Sequence, residues 1–316
     1  MTRPLAALVV SVVACTLVSC GGDDADTPAA EGGSTTAAQP AAVRLAHTAA
    51  GPNAKASSGV VDGEIEIALK GVPGFEEPFT TMVSGPFEYR KGAALPDYEL
   101  DLGARDYGVT LTAVGGKSYV SIGTTAYELP AAIRRRLVRA SSRGKNGLTR
   151  TLEQVGIAPA RWETEQRIAG TETVGGVETT HIVTSFNAGR ILKDANTLLG
   201  LMRSLGITRA IGFPPTITPA QRRRFVRGVT TKTGASWIGV KDKVLRQAGF
   251  TMRFAIAPAD RRKLGGISGG HVTGKLTVSE VGEPQNIQAP TDVGSFADFQ
   301  LALDALGDAQ EAKAGG

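Results

Sequence analysis

The chain has 316 residues, of which 41% are hydrophobic and 21% charged, and its formal net charge at pH 7 is +5. Its two cysteines, Cys15 and Cys20, both precede the residues predicted to fold. The composition therefore excludes a disulfide framework, a zinc–thiolate site and a cysteine nucleophile from the folded part. A modest positive charge without a basic–aromatic pattern also argues against nucleic acid as a partner.

The first 19 residues are predicted to form a signal peptide. Arg3 gives a positive start, and the uncharged run from Leu5 to Val18 is too short for a bilayer core of ~30 Å. Residues 17–20 (LVSC) resemble the lipobox of bacterial lipoproteins, in which the cysteine thiol receives a diacylglyceryl group before cleavage. The resemblance implies that Cys20 is lipidated and holds the protein on the extracytoplasmic face of the cell membrane.

The next segment is predicted to be a tether. Residues 21–58 consist mainly of Ala, Gly, Ser, Thr, Pro and Asp, and they cannot bury enough apolar surface to offset the entropy of ordering. We therefore expect residues 20–58 to be the lipidated cysteine and a flexible tether. Residues 59–308 are expected to form a single α+β domain, followed by a disordered tail at 309–316.

Apolar and polar residues alternate in six segments of the domain, and each segment is predicted to be a strand. These segments are residues 61–70, 79–89, 98–102, 107–113, 250–256 and 272–279. One apolar and one polar face per strand is typical of an antiparallel sheet covered on one side. The dipeptides Pro73-Gly74, Gly115-Gly116, Gly175-Gly176 and Gly269-Gly270 are predicted to mark turns or bends between strands.

Four segments are predicted to be helices: one follows Pro130, and the others span residues 188–205, about 218–227 and 296–306. The second is the most amphipathic. The third begins with Thr218, Pro219 and Gln221, which is the pattern of a capping box. These elements predict a strongly curved antiparallel β half-barrel with helices packed on its concave side.

Four motifs, in order along the chain, resemble the LppX/LprAFG-type lipoproteins, whose fold is akin to that of the LolA/LolB carriers. They are SGVVDGEI at 58–65, VGGVETTHI at 174–182, SWIGVKD at 236–242 with Leu245-Arg246, and LTVSEVGEP at 276–284 with IQAP at 287–290. Gly239 departs from the pattern, where Asp is usual. The resemblance covers residues 59–292 and implies a half-barrel that encloses an apolar cavity for acyl chains.

The expected ligands are acyl lipids or glycolipids, and the candidate residues lie on the apolar faces of strands and of the long helix. They are Ile65, Ile67, Leu69, Val83, Phe87, Leu198, Met202, Phe250, Met252 and Phe254. Ordinary core packing is an equally good interpretation of each residue alone. An enclosed apolar void would favour a lipid carrier, whereas a filled core would favour a surface interaction or sensor lipoprotein.

Catalysis and metal binding are not expected. Gly266-Ile267-Ser268-Gly269-Gly270 matches the G-x-S-x-G pattern of hydrolases, but a strand is predicted to follow it where the hydrolase elbow needs a helix. His181 lies in the VGGVETTHI motif, His271 directly precedes the predicted strand at 272–279, and two histidines cannot complete a metal site unaided. The sequence therefore predicts a non-enzymatic protein without a cofactor or resident metal, and a monomer.

Two arginine clusters have two interpretations. Arg134–Arg136 with Arg139, and Arg222–Arg224 with Arg227, each fall on a predicted helix. A solvated helix face is the simpler interpretation. Contact with phosphate or glycolipid headgroups is the alternative, since a cation near an anionic membrane contributes about 1 kcal/mol.

Overall fold

A computed structural model of the chain describes residues 41, 45, 56–72, 77–90, 96–104, 107–132, 135, 161–204, 216–302 and 305. The predicted signal peptide, Cys20, most of the tether, the tail and most of the helix after Pro130 lie outside the described residues. Leu45 is helical and packs against Ile182 and Ile238. Leu45 lies within the segment expected to be a flexible tether, but its side chain contacts the folded domain.

The described residues include twelve strands, which form a single sheet. They are β1 (Ser58–Lys70), β2 (Phe79–Glu88), β3 (Asp97–Ala104), β4 (Tyr107–Val114), β5 (Lys117–Ile122), β6 (Thr125–Glu128), β7 (Glu163–Val174), β8 (Val177–Phe186), β9 (Val229–Gly239), β10 (Leu245–Ala255), β11 (Gly269–Ser279) and β12 (Val293–Gly294). Their spatial order is β12-β6-β5-β4-β3-β2-β1-β11-β10-β9-β8-β7, and β12 pairs with β6 in parallel while the other pairs are antiparallel. The predicted fold class, a strongly curved antiparallel half-barrel with helices packed on it, is confirmed as a large, open, curved and mainly antiparallel sheet with few helices.

The glycine pairs behave in two ways. Gly115-Gly116 and Gly175-Gly176 form tight turns with positive φ, as predicted, because glycine has no Cβ to oppose that conformation. Gly269-Gly270 instead begins β11, so the predicted turn there is wrong. The chain reverses just before it, at Gly265 (φ 70°) and Gly266 (φ 92°).

Three described helices follow strands or loops of the second half: α1 (Ala188–Ser204), α2 (Pro219–Gly228) and α3 (Pro258–Arg261), which leads into a 3₁₀ turn at Arg262–Leu264. Residues 296–302 are also helical. The predicted capping box is confirmed: the Gln221 backbone N–H donates to Thr218 Oγ1 (3.2 Å), and the Thr218 N–H donates to Gln221 Oε1 (2.9 Å). Of the helices in the described ranges, none is both long and apolar enough to cross a bilayer.

The main core lies between the helices and the apolar face of the central strands. Ile67 of β1 and Val272 of β11 are opposite each other and fully buried. Leu192 of α1 and Phe225 of α2 belong to the same cluster, and the Phe225 ring lies 4.4 Å from that of Phe254. The helices therefore cover this face at β1, β10 and β11.

A glycine makes room for a core aromatic ring on this face. Gly274 of β11 lies directly opposite Phe250 of β10. A Cβ at Gly274 would overlap the Phe250 ring, so glycine at this position leaves the space that the ring occupies.

A buried polar contact ties α1 to the sheet. The Trp162 indole Nε1–H donates to Asp194 Oδ2 at 2.8 Å, and both residues are buried. Trp162 immediately precedes β7, so this bond holds the helix at the far end of the sheet from β12.

Candidate functional site

The pairing register places one uncharged face on three neighbouring strands. Val83 of β2 lies opposite Gly63 of β1 and Leu102 of β3, and Leu102 lies opposite Val109 of β4. Directly opposite residues in an antiparallel pair point to the same side of the sheet. The face that is buried under the helices at β1 therefore continues across β2, β3 and β4.

We call this part of the face the apolar strip. Its principal members are Val83 and Phe87 on β2, Tyr98, Leu100 and Leu102 on β3, and Val109 and Leu111 on β4. Each of these side chains is half-buried, whereas the core residues of β1 and β11 are almost fully buried. At the register positions of this face, β2, β3 and β4 carry no charged residue. Burial in this surface raises the pKa of the Tyr98 hydroxyl above its ordinary value.

Helices lie on both sides of the apolar strip. On one side, Phe79 at the start of β2 packs against the core cluster that contains Phe225 of α2. On the other side, Tyr127 of β6 is buried, and its ring lies 5.7 Å from that of Phe299 in the helical residues 296–302. Phe299 thus packs close to one edge of the sheet, since only the two residues of β12 lie beyond β6. The half-buried strip therefore lies between two parts of the same face that aromatic and helical residues cover.

The structure divides the predicted cavity residues into two groups. Ile65, Ile67, Leu69, Met252 and Phe254 are buried in the main core, and Phe250 packs against that cluster. Val83 and Phe87 instead belong to the apolar strip. Leu198 and Met202 lie on α1, and their side chains are outside the described part of the structure. The division shows packed residues on β1 and β10 and more accessible ones on β2.

The members of the strip on β3 and β4 were not among the residues predicted to line a lipid cavity. Apolar alternation identifies the two strands that carry them, but it does not show which other strands pair with these two. The alternating residues are Tyr98, Leu100 and Leu102 on β3, and Val109 and Leu111 on β4. Which strands lie under the helices depends on long-range pairing, which a single sequence does not reveal. A signal was nonetheless present, because three consecutive strands carry apolar faces without a helix between them in the chain.

The opposite face of the sheet bears an open groove of about 610 Å³. Its floor includes Gly249, and its walls include Glu64, Glu66, Trp237, Gln247 and Lys275. The walls thus carry carboxylate, ammonium and amide groups, which lose hydration when apolar matter covers them. Val183, Ala235 and Phe250 also line it, so the groove combines charged groups with apolar surface, whereas the apolar strip carries no charged residue.

A hydrogen-bonded cluster lies on the polar face beside this groove. Glu172 accepts one bond from the Trp237 indole N–H (Oε2, 2.8 Å), and its Oε1 lies 2.7 Å from His181 Nδ1. The imidazole stacks on the indole at 4.6 Å with an interplanar angle of 12°. The bond from Trp237, followed by that from His181, holds the pKa of Glu172 below its ordinary value. The cluster joins β7, β8 and β9.

The second histidine pairs separately. His271 Nε2 lies 2.7 Å from Glu66 Oε1 across the β11–β1 pair. Within the described ranges, no three His, Cys, Asp or Glu side chains are arranged to hold a metal ion. Ser268 of the G-x-S-x-G match immediately precedes β11, and its backbone N–H donates to the Lys70 carbonyl at 2.8 Å.

The departure at Gly239 has a local cause. A Cβ at this position would overlap Asp242 Oδ1. Asp242 accepts a bond from the Val244 backbone N–H and forms an ion pair with Arg246 in the turn that leads into β10. Glycine thus allows the Asp242 carboxylate to fold back over the end of β9.

No protein-family model matches the sequence, and a search of curated proteins finds no match. Among solved structures, the chain is similar to lipoprotein LppX of Mycobacterium tuberculosis (13% identity, 79% of this chain and 99% of that chain, TM-score 0.39). It is also similar to LprF of Mycobacterium bovis (14% identity, 79% and 97%, TM-score 0.36). A domain from Vibrio parahaemolyticus described as an outer membrane lipoprotein-sorting protein is more distant (8% identity, 85% and 99%, TM-score 0.21). The first two of these solved structures are lipoproteins of the type that the sequence motifs resemble.

Proposed function

We propose that this protein is a membrane-anchored lipoprotein of the cell envelope that binds and carries lipids or glycolipids on the apolar strip. The observation that carries the proposal is the half-buried, uncharged face of β2, β3 and β4. Apolar surface of this kind is normally buried or used for binding. An acyl chain laid along the strands would cover it.

The dimensions and energetics of the strip are suitable for an acyl chain. Strands lie about 4.8 Å apart, so three strands present a surface roughly 10–14 Å wide, and the eight residues of β3 extend over roughly 27 Å. Each methylene moved out of water contributes about 0.8 kcal/mol. Ten buried methylenes would thus supply about 8 kcal/mol, from which the entropic costs of binding are subtracted.

The proposed anchor explains why such a surface would lie close to its ligand. Lipidation at Cys20 would hold the domain on the extracytoplasmic face of the membrane. A Gly-rich coil of about 38 residues reaches roughly 35 Å, so the proposed tether allows the domain to contact the membrane. The binding itself needs no catalytic group, cofactor or second copy of the chain.

Native mass spectrometry tests this proposal. The mature chain from residue 20 would carry Cys20→Ser, so that no covalent lipid contributes to the mass. We expect adducts that organic extraction identifies as acyl lipids and that exchange with added lipid. Adduct-free protein that also fails to take up added lipid would contradict the proposal.

The filled part of the core favours one alternative. Ile65, Ile67, Met252 and Phe254 are packed against the helices and each other, as in a protein without a cavity there. On this alternative the protein is a non-enzymatic surface interaction or sensor lipoprotein, and its apolar strip contacts another envelope protein. The same experiment separates the two, because only a lipid binder would acquire and exchange lipid adducts.

A further inference from the structure

A strongly basic surface lies at one end of the central strands. Within α2, α3 and the 3₁₀ turn, seven cationic residues accompany a single acidic one, Asp260. The cations are Arg222, Arg223, Arg224, Arg227, Arg261, Arg262 and Lys263. We call this set the basic surface.

Asp260 brings the two parts of the basic surface together. Its Oδ1 accepts from Arg224 Nε at 3.1 Å, and its Oδ2 accepts from Arg227 Nη2 at 2.9 Å. One carboxylate of α3 thus binds two arginines of α2, although the two helices are far apart in sequence. The neighbouring Arg261 donates from Nε to the Ile256 carbonyl at 3.2 Å, which fixes the start of the 3₁₀ turn.

The other cations of this surface have no anionic partner among the described residues. Arg222, Arg223, Arg262 and Lys263 form no ion pair there, and the last three are exposed. Exposed like charges close together repel one another, and this repulsion is relieved when an anionic surface approaches. The guanidinium groups can also bind phosphate through two parallel hydrogen bonds.

We propose that the basic surface docks the domain on an anionic lipid membrane. A membrane, rather than a soluble anion, fits a surface whose free cations are spread over α2 and the 3₁₀ turn. The location agrees with this partner: Phe79, where β2 begins, packs against the same core cluster as Phe225 of α2. Docking through α2 would therefore bring the beginning of the apolar strip close to the headgroups. This last consequence rests on the proposed lipid-binding function, whereas docking itself does not.

Vesicle binding tests the proposal directly. The mature chain with Cys20→Ser would be titrated with vesicles of equal parts phosphatidylglycerol and phosphatidylcholine, and with vesicles of phosphatidylcholine alone. The variant Arg223→Gln/Arg262→Gln/Lys263→Gln should bind the anionic vesicles about 100-fold more weakly, because each cation contributes about 1 kcal/mol and 1.4 kcal/mol is a factor of ten. Added salt should weaken wild-type binding, since the Debye length shortens from about 10 Å at 0.1 M to 3 Å at 1 M.

The matched control removes the same net charge elsewhere. Arg167, Lys241 and Lys275 are exposed on strand or turn positions outside the basic surface, and their joint replacement by Gln should leave vesicle binding nearly unchanged. Equal losses in the two triple variants, or equal binding to the two vesicle types, would overturn the docking proposal. Loss of acyl-lipid uptake with intact vesicle binding would instead overturn the proposed function alone.

Discussion

Ile67 and Leu100 should respond differently to truncation, because one lies in the packed core and the other on the apolar strip. Ile67 is fully buried in the main cluster. Ile67→Ala should therefore cost about 2–5 kcal/mol of unfolding free energy. For a domain of this size each kcal/mol lowers Tm by roughly 2–4 °C, so a decrease of about 4–20 °C is expected. Under conditions in which the Ile67→Ala variant is fully folded, its affinity for an acyl chain should be unchanged.

Leu100 is half-buried and lies directly opposite Leu111 in the β3–β4 pair. Truncation of Leu100 to Ala removes about three carbon atoms, each of which contributes about 0.8 kcal/mol when it is buried. About half of this apolar surface is exposed in the free protein, so its burial by an acyl chain would contribute about 1 kcal/mol to the binding free energy. Leu100→Ala should thus weaken acyl binding about fivefold and cost about 1 kcal/mol of stability. Adding Leu111→Ala should bring the binding loss to roughly 30-fold.

Both effects are measurable on the same samples. Urea denaturation gives the free energy of unfolding, and fluorescence titration with cis-parinaric acid gives the affinity for an acyl chain. If Leu100→Ala destabilises the protein as much as Ile67→Ala, the strip is part of a closed core and the reasoning fails. Unchanged probe affinity in the Leu100→Ala/Leu111→Ala variant would refute it equally.

Three further predictions concern local contacts. The hydrogen bond from Arg227, together with Arg224, lowers the pKa of Asp260. The ionised carboxylate therefore stabilises the fold fully above its ordinary pKa of about 3.9, and this stabilisation is lost as the pH falls through the lowered pKa. The Tm values of wild type and Asp260→Asn should thus differ at neutral pH and converge in acid, and a difference that is constant with pH would exclude this linkage. Trp237→Phe removes the bond that most lowers the pKa of Glu172, so carboxyl NMR titration should show that pKa rising, and an unshifted titration would contradict the assignment. Thr218→Ala should cost about 1 kcal/mol in thermal unfolding by removing the capping box of α2, and Thr218→Ser should restore most of it.

Local sequence patterns predicted six of the twelve described strands, β1 to β4, β10 and β11, and the helices α1, α2 and 296–302. The alternation over residues 61–70 and 272–279 corresponds to β1 and β11, and the Thr218–Gln221 pattern corresponds to the start of α2. These features depend on residues close together in the chain. Gly269-Gly270 shows the limit: the pair begins β11, and the chain turns at Gly265-Gly266.

Features that depend on pairing could not be predicted in this way. Besides its neighbour in the chain, β2, strand β1 also pairs with β11, whose residues are about 200 positions away, as the Glu66–His271 pair illustrates. That pairing decides that Ile67 lies under the helices while Leu100 stays half-buried. Apolar alternation alone makes these two residues equivalent. The candidate site was therefore predictable as an apolar sheet face, but not by its position on β2, β3 and β4.

Photo-crosslinking would show directly whether acyl chains bind to the apolar strip. A fatty acid with a diazirine near the end of its chain would be bound to the mature Cys20→Ser protein, irradiated, and the labelled peptides mapped by mass spectrometry. The account predicts labelling within residues 79–111, reduced by competition with unlabelled fatty acid and by Leu100→Ala/Leu111→Ala. Competable labelling confined to the polar face, around Glu64 and Lys275, would contradict it.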